Sequence, residues 1–315
     1  MPSDPAVATI SICIPAYQRV EFLRRLLDSI AIQTFTDFEV VITDDTPGTA
    51  VYFLAQEYKQ KFKILYHKNE TTLGTPENWN EAIRRSSGTW IKLMHDDDWF
   101  AEPTSLQQFM DAANANPQAS FLFSAYYNVT EGSGKTQIVL LNRIRKKRLL
   151  LNPVTLFSRN VIGPPSVTMY RNDRQWWYDR KVKWVVDIDF YIRYLKGRKP
   201  VYISRPLINV GINPQQVTHT AFRKPQVEIP ENFYLLDKVG HHHLRDIMVY
   251  DGWWRLMRNL NIRNEQQIRN NGYAGPVPVQ VRRMINIQKK IPRLLLKTGV
   301  FSKLFMFASY LLNRK

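Results

Sequence analysis

The feature that most constrains this chain is an alternation of apolar, strand-like runs with helix-period segments across its first 124 residues. Residues 9–14 alternate and are β-branched, and Pro15 is expected to stop that strand. Phe22, Leu23, Leu26, Leu27 and Ile30 then share one face of a helix. Residues 38–43 read as a second strand ending at Asp44-Asp45, residues 51–58 as a helix, and 63–66 as a short strand. Residues 77–86 are helical up to Gly88, 89–94 form the next strand, 104–115 a helix, and 120–124 a strand. This alternation predicts an α/β fold with a mostly parallel central sheet, flanking helices and right-handed crossovers.

Open sheets of this kind bind ligands beyond the carboxyl ends of their strands. Here those ends carry Tyr17-Gln18-Arg19, Asp44-Asp45 and His95-Asp96-Asp97-Asp98. Three polar clusters, each directly after an apolar run, are expected to converge on one crevice. The third is the most demanding. Three adjacent carboxylates repel one another and lose hydration at the end of a buried strand, unless something positive offsets the loss. A divalent cation bridging to substrate phosphates is one such offset. A solvated acidic turn that also caps the helix near Pro103 is the other reading.

Beyond residue 124 the pattern loosens. Gly132-Ser133-Gly134-Lys135 marks a turn between two extended segments, followed by the basic run Arg143-Ile144-Arg145-Lys146-Lys147-Arg148. Residues 166–170 read as a strand, 186–195 as a helix ended by Gly197, and 200–204 and 207–212 as closing strands. After about residue 235 strand signals vanish, and residues 245–261 and 282–313 look helical. The expected organisation is a domain over residues 1–235 and a basic, mainly helical region over 236–315.

The net charge of +17 calls for an acidic partner. From Pro276 to Lys315 there are nine Lys or Arg residues and no Asp or Glu. Val300, Phe301, Leu304, Phe305, Ala308, Leu311 and Leu312 form one apolar helical face there, flanked by Lys297, Lys303, Arg314 and Lys315. Such a helix suits the plane of an anionic membrane, and packing on the catalytic domain is its alternative. No RNA- or DNA-reading motif appears, so nucleic acid is not expected as a partner. The N-terminus lacks a signal-peptide pattern, and no apolar run is long enough to span a bilayer. Cys13 is the single cysteine, lies in an apolar run and fits a reducing compartment.

Five stretches in order resemble the family 2 glycosyltransferases of GT-A fold. They are Ser11-Ile12-Cys13-Ile14-Pro15-Ala16-Tyr17-Gln18-Arg19, residues 33–45 ending in Asp44-Asp45, residues 88–98 ending in the acidic run, Pro165 to Arg171, and Asp187 to Arg193. The resemblance spans about residues 9–220. It implies inverting transfer of a hexosyl-type sugar from a UDP- or dTDP-sugar to an acceptor hydroxyl, in bacterial cell-surface polysaccharide or glycolipid assembly. It implies a nucleotide-sugar site that includes Pro15, Tyr17, Arg19, Asp45, Asp96 and Asp97. Within it, Tyr17 stacks on a pyrimidine, Asp45 accepts from its imide N–H, and Asp44 orients a neighbour. Asp98 is then a direct ligand of Mg2+ or Mn2+, Asp96 acts through the ribose or a metal-bound water, and Asp97 matters less. Asp187 is the base that inversion requires, ahead of Asp189. The acceptor is expected to be a glycan or lipid-linked, and the enzyme cytoplasmic, peripheral on the inner face of the cell membrane. The alternative is a glycosyltransferase-like nucleotide-binding protein without turnover. One departure stands out: where many members carry Arg-Asn before the acidic run, this chain has Trp79-Asn80. Arg171, Arg193 and His219 are candidates to replace that diphosphate contact.

Overall fold

The computed structural model describes residues 8–213 and 222–313. The chain divides into two compact units. The first comprises residues 1–146, 162–180 and 193–214, and the second 147–161, 181–192 and 215–315. The boundary expected near residue 235 lies inside a helix of the second unit.

The first unit is built on a sheet. Its strands are β1 (Ile10–Ala16), β2 (Phe38–Asp44), β3 (Ile64–Lys68), β4 (Trp90–Leu93), β5 (Trp99–Phe100), β6 (Phe121–Thr130), β7 (Thr136–Val139), β8 (Thr168–Arg171) and β9 (Val201–Ile212). Their order is β3-β2-β1-β4-β8-β6-β9-β5, with β7 hydrogen-bonded to β6. The β3-β2-β1-β4 half is parallel. β8 runs antiparallel to both β4 and β6, and β6 returns to parallel pairing with β9. The sheet is thus mixed. Helices α1 (Val20–Ala31), α2 (Ala50–Tyr58), α3 (Glu77–Arg85) and α4 (Ser105–Ala115) make the crossovers. In α1, Leu23, Leu26, Leu27 and Ile30 are buried, as their period requires.

Pro15 does not stop β1; the strand continues through Ala16. The reason lies in the ladder. Thr9 and Cys13 accept from Trp90 and Met94 on the β4 side, and by alternation Pro15 faces that same side. The β1–β4 register ends at Cys13↔Leu93, just before Pro15, while β1 goes on pairing with β2 through Pro15↔Thr43 and Ala16↔Asp44, so the missing N–H ends one ladder and leaves the other intact. The two closing strands are one strand, β9, with a register shift opposite Ser124 and Ala125. Residues 165–167 form a 3-10 turn that leads into β8. The Gly132–Lys135 turn joins β6 and β7.

At the amino ends of the parallel strands, Ser11 Oγ donates to the buried Glu39 at 2.7 Å and accepts from the Gly88 amide at 2.8 Å. A Cβ on Gly88 would meet the Ser11 nitrogen at 2.6 Å. Only glycine lets α3 hand the chain to β4 so close to β1.

The second unit is helical and holds most of α5 (Arg143–Leu151) and α6 (Val186–Tyr194). It continues with α7 (Pro225–Val239), α8 (Ile247–Asn259), α9 (Glu265–Asn270), α10 (Val279–Lys290), α11 (Arg293–Lys297) and α12 (Gly299–Asn313). Asp246 caps α8 by accepting from Met248 and Val249, and Asn264 caps α9 through Gln267. Pro292 ends the continuous helix expected over 282–313 and starts α11. Trp253, Trp254, Tyr250, Phe233 and Met284 fill the core.

α12 packs in an unusual sense. Its buried stripe is Ser302, Met306, Ser309 and Asn313. Ser302 Oγ accepts from Trp254 Nε1 at 3.1 Å, Ser309 Oγ shares a 2.6 Å bond with Tyr250 Oη, and Asn313 donates to that hydroxyl at 2.7 Å. Val300, Phe301, Leu304, Phe307, Leu311 and Leu312 are exposed instead. Of the face expected from sequence, Phe305 is half-buried and Phe307 joins the exposed set. Arg314 and Lys315 lie outside the described residues. Among the described residues no helix is long and apolar enough to cross a membrane.

Gly88→Ala is expected to cost about 1–3 kcal/mol, the usual penalty for overpacking a tight site. Urea unfolding monitored by tryptophan fluorescence checks it; an unchanged midpoint would contradict the close approach.

Candidate active site

The carboxyl ends of β1, β2 and β4 meet. Asp45 donates its amide to the Ala16 carbonyl at 3.0 Å. Gln18, in a left-handed conformation at φ 62°, donates its amide to Thr46 Oγ1 at 2.7 Å. Arg19 spans to the acidic turn, with Nη1 on Asp97 Oδ2 at 2.8 Å and Nη2 on Asp96 Oδ1. Tyr17 stands beside this junction and is 47% exposed, an accessible aromatic residue. Pro15 lies two residues upstream within β1 and supplies rigidity to this strand end.

Asp45 is more committed than its sequence position suggested. Oδ1 accepts from Asn69 Nδ2 at 2.8 Å and from the Leu73 amide at 3.0 Å, and Oδ2 accepts from the Gly74 amide at 2.8 Å. It therefore pins the 69–74 loop. Each carboxylate oxygen has two acceptor positions, so Oδ2 keeps capacity for one more donor. Asp44 is tied to Thr46, Tyr66 and Lys68.

The acidic turn is buried, with Asp96, Asp97 and Asp98 each at 5% exposure or less. Burial pushes the Asp96 carboxyl up to about 7, with Arg19 pulling the other way. Asp98 is raised well above the carboxylate range, first by burial and then by Asp97. Its Oδ1 accepts from the Gly211 amide at 3.1 Å, and the Ser166 hydroxyl also favours its charged form. Arg19 is raised because Asp96 and Asp97 outweigh the burial that would lower it. Asn213 donates to Asp97 Oδ2 at 3.0 Å, and Arg25 to the Asp97 carbonyl at 3.2 Å. Beneath the turn Lys92 is fully buried in β4, bonded to the Ser166 carbonyl. Burial drives its ammonium down to about 7, with Asp98 opposing.

His95 closes the group. Burial lowers it to about 4, so the ring is neutral near pH 7, and its Nε2 is buried without a hydrogen-bond partner. One ligand atom each from His95, Asp97 and Asp98 lies within 4.8 Å of the others. One imidazole nitrogen and two carboxylates fit a divalent ion, and the nitrogen suits Mn2+ better than Mg2+. Asp96 is outside this trio, with its carboxylate turned to Arg19. The sequence named Asp96 with Asp98; the structure groups Asp97 and His95 with Asp98.

Asp187 stands in the first turn of α6, in the second unit. Its Oδ2 accepts from Asn160 Nδ2 at 2.7 Å and its Oδ1 from the Ile188 amide at 2.8 Å. Burial pushes the carboxyl up to about 6, and those hydrogen bonds partly hold it down. Asp189 differs: it is fully buried and ion-paired to Lys238 at 2.7 Å. It serves as a structural anchor for α7.

Trp79 packs its ring 4.7 Å from His95 and edge-on to Tyr178 at 5.1 Å. Asn80 exchanges hydrogen bonds with the Tyr178 backbone at 2.9 and 2.8 Å. The proposed substitutes for a lost cation are engaged elsewhere. Arg171 donates to the Pro117 and Ala119 carbonyls, and Arg193 to the Trp177 carbonyl. His219 lies outside the described residues. Sequence reasoning passed over Lys92, Ser166, Gly211 and Asn213. Of these Lys92 carried a signal as a charge within the apolar run Trp90-Ile91-Lys92-Leu93-Met94, and Ser166 lay within the Pro165–Arg171 stretch of the resemblance, without a role assigned to it.

Residues 11–180, more than half of the chain, match the family model described as Glycosyl transferase family 2. An uncharacterized glycosyltransferase of Haemophilus influenzae is 32% identical over 245 residues, which is 76% of this chain and 78% of that protein. Among solved structures, S. aureus TarS 1-349 in complex with UDP-GlcNAc matches with a TM-score of 0.59 at 17% identity, over 96% of this chain and 89% of that one. Mannosyltransferase PcManGT from Pyrobaculum calidifontis, in complex with GDP-Man and Mn2+, matches with a TM-score of 0.53 at 12% identity, over 98% and 87%. Those two likenesses show the fold: a mixed, curled sheet flanked by helices, as in GT-A proteins, with helices at the C-terminal end. The chain belongs to glycosyl transferase family 2.

Proposed function

We propose that this transferase moves a hexosyl-type sugar, with inversion, from a UDP- or dTDP-sugar to a hydroxyl of a glycan or lipid-linked acceptor in surface-polysaccharide or glycolipid assembly. The observation that carries the reading is the junction of three strand ends, where exposed Tyr17, Arg19 and the buried His95–Asp98 turn share one network. Tyr17 offers the base a stacking face, worth about 1–3 kcal/mol by analogy with other base–aromatic contacts. Asp45 Oδ2 retains an acceptor position for an imide N–H. Arg19 holds Asp96 in place for the ribose.

His95, Asp97 and Asp98 would hold Mn2+ or Mg2+, with Asp96 held beside them by Arg19. When bound, such an ion stabilises the charge that develops on the leaving diphosphate. Asp187 takes the proton of the attacking hydroxyl. A carboxyl at about 6 suits that task, being mostly ionised near neutral pH and still basic enough to accept a proton.

The same reading makes the protein peripheral on the cytoplasmic face of the cell membrane. The support is α12: its hydrogen-bonding stripe is spent on Trp254 and Tyr250, while six large apolar side chains lie outward with Lys297 and Lys303 alongside. An apolar ridge with flanking cations suits the interface of an anionic bilayer, where each Lys or Arg near the surface contributes about 1 kcal/mol.

Each part of the reading has an expected outcome. Nucleotide release across a donor panel should fall at least about 100-fold in Asp98→Ala and with chelator, and Mn2+ should raise the melting temperature of the wild type but not of His95→Ala. Full activity of Asp98→Ala removes the metal reading, and nucleotide binding with no turnover on any donor favours the binding-protein alternative. Asp187→Asn should lower transfer by about 10²–10⁴-fold with donor affinity retained. In the wild type kcat/KM should fall about tenfold per pH unit below about 6, where the base is protonated. Leu304→Glu with Phe307→Glu should release the protein from phosphatidylglycerol vesicles in a flotation assay, and undiminished binding refutes the ridge.

A further inference from the structure

The second unit contains a cavity of about 170 Å³ that no step above uses. Asn160 and Ile188 belong to its wall, and N–H groups of both bond the Asp187 carboxylate. The cavity therefore adjoins the proposed base through its own lining. It is smaller than the roughly 300–1,000 Å³ usual for sites that enclose a drug-sized ligand. It takes one ring or one charged group, not a nucleotide sugar.

Its lining mixes two chemistries. Trp184 and Phe222 set their rings 6.2 Å apart at 47°, an aromatic wall for the apolar face of a sugar or polyol. Arg159, Arg223 and Arg255 line it together with one carboxylate, Glu228, and Arg255 has a second carboxylate, Asp251, paired to it from outside the lining. Glu228 is nearly buried and accepts from the Arg223 amide at 2.5 Å. Arg255 is fixed: Nε donates to Asp251 at 3.1 Å, and Nη2 donates to the Ser158 carbonyl and to its hydroxyl at 3.1 Å. Arg159 and Arg223 are exposed and form no ion pair among the described residues. The crowding of positive charge is felt nearby. Arg258 is lowered by burial and then by Arg255, with Arg223 adding to the effect and Asp251 opposing it. Guanidinium groups bind phosphate and carboxylate in a planar, two-point fashion, and an oxyanion here would relieve their mutual repulsion.

We infer that this cavity is the acceptor subsite, and that the acceptor unit it takes is a sugar or polyol bearing an oxyanion, phosphate or carboxylate, near the hydroxyl to be glycosylated. The inference rests on the transferase reading above. In the reaction the acceptor oxygen forms a bond to the anomeric carbon as the bond from that carbon to the diphosphate oxygen breaks. The nucleoside diphosphate leaves with the electron pair, and the acceptor's proton passes to Asp187.

Isothermal titration of the full chain with glycerol 3-phosphate, glucuronate, glycerol and glucose, each in the presence of saturating UDP, tests it. At least one anionic probe is expected to bind ten or more times more tightly than its neutral counterpart. Preference for glycerol 3-phosphate identifies a phosphate-bearing acceptor, and preference for glucuronate a uronate. Arg159→Ala with Arg223→Ala, both at exposed positions, should abolish the preference while UDP affinity stays unchanged. Equal binding of anionic and neutral probes, or an undiminished preference in the double variant, overturns the subsite. Absence of UDP binding to the wild type would instead fault the donor site, and is read separately.

Discussion

The architecture depends on making a buried run of three carboxylates tolerable. Asp96, Asp97 and Asp98 follow a strand that is itself buried, so each has lost most of its hydration. The chain offsets that loss with different means on different sides. Arg19, from the first strand end, engages two carboxylates; Lys92 lies beneath; the Gly211 amide and Asn213 approach from β9. The raised Asp96 and Asp98 show that this compensation is partial. A shortfall of positive charge of this kind is one that a bound cation would offset.

Much of the sheet half was legible because hydrophobic period and strand-end polarity are local properties. β1, α1, β2 and α4 lie within a few residues of where the pattern put them. The junction of Tyr17–Arg19, Asp44–Asp45 and the acidic run followed from the rule that parallel strand ends share an edge. What stayed illegible depends on partners far along the chain. Nothing near Asp45 in sequence reveals that the 69–74 loop wraps it. Nothing near residue 96 indicates that Arg19 takes both Asp96 and Asp97 while only Asp97 also groups with His95 and Asp98. Pro15 misled because a proline's cost depends on which neighbour its missing N–H would have faced.

The helical half shows the opposite case. The apolar positions of α12 were evident, but the direction they face was not. Hydrophobic period names a face without saying whether protein or something else covers it. Here three polar side chains find buried partners in Tyr250 and Trp254, and that satisfied stripe fixes the rotation of the helix. Asp187 illustrates a related point. Its acidity reflects burial and hydrogen bonds from Asn160, from Ile188 and from its own backbone, and only those within its own helix could be read from the sequence.

Gly211 carries a consequence of another kind. A Cβ there would run into the Asp97 carbonyl, and its amide reaches Asp98 across 113 residues of chain. Asn213 reaches Asp97 across 116. On the ribosome, then, the acidic turn emerges long before the strand that completes it. Until β9 arrives, a nascent chain holds these carboxylates without two of their donors, and closing so wide a loop is slow. Early release of the polypeptide would thus yield a sheet with an unfinished pocket, a natural substrate for chaperones and proteases.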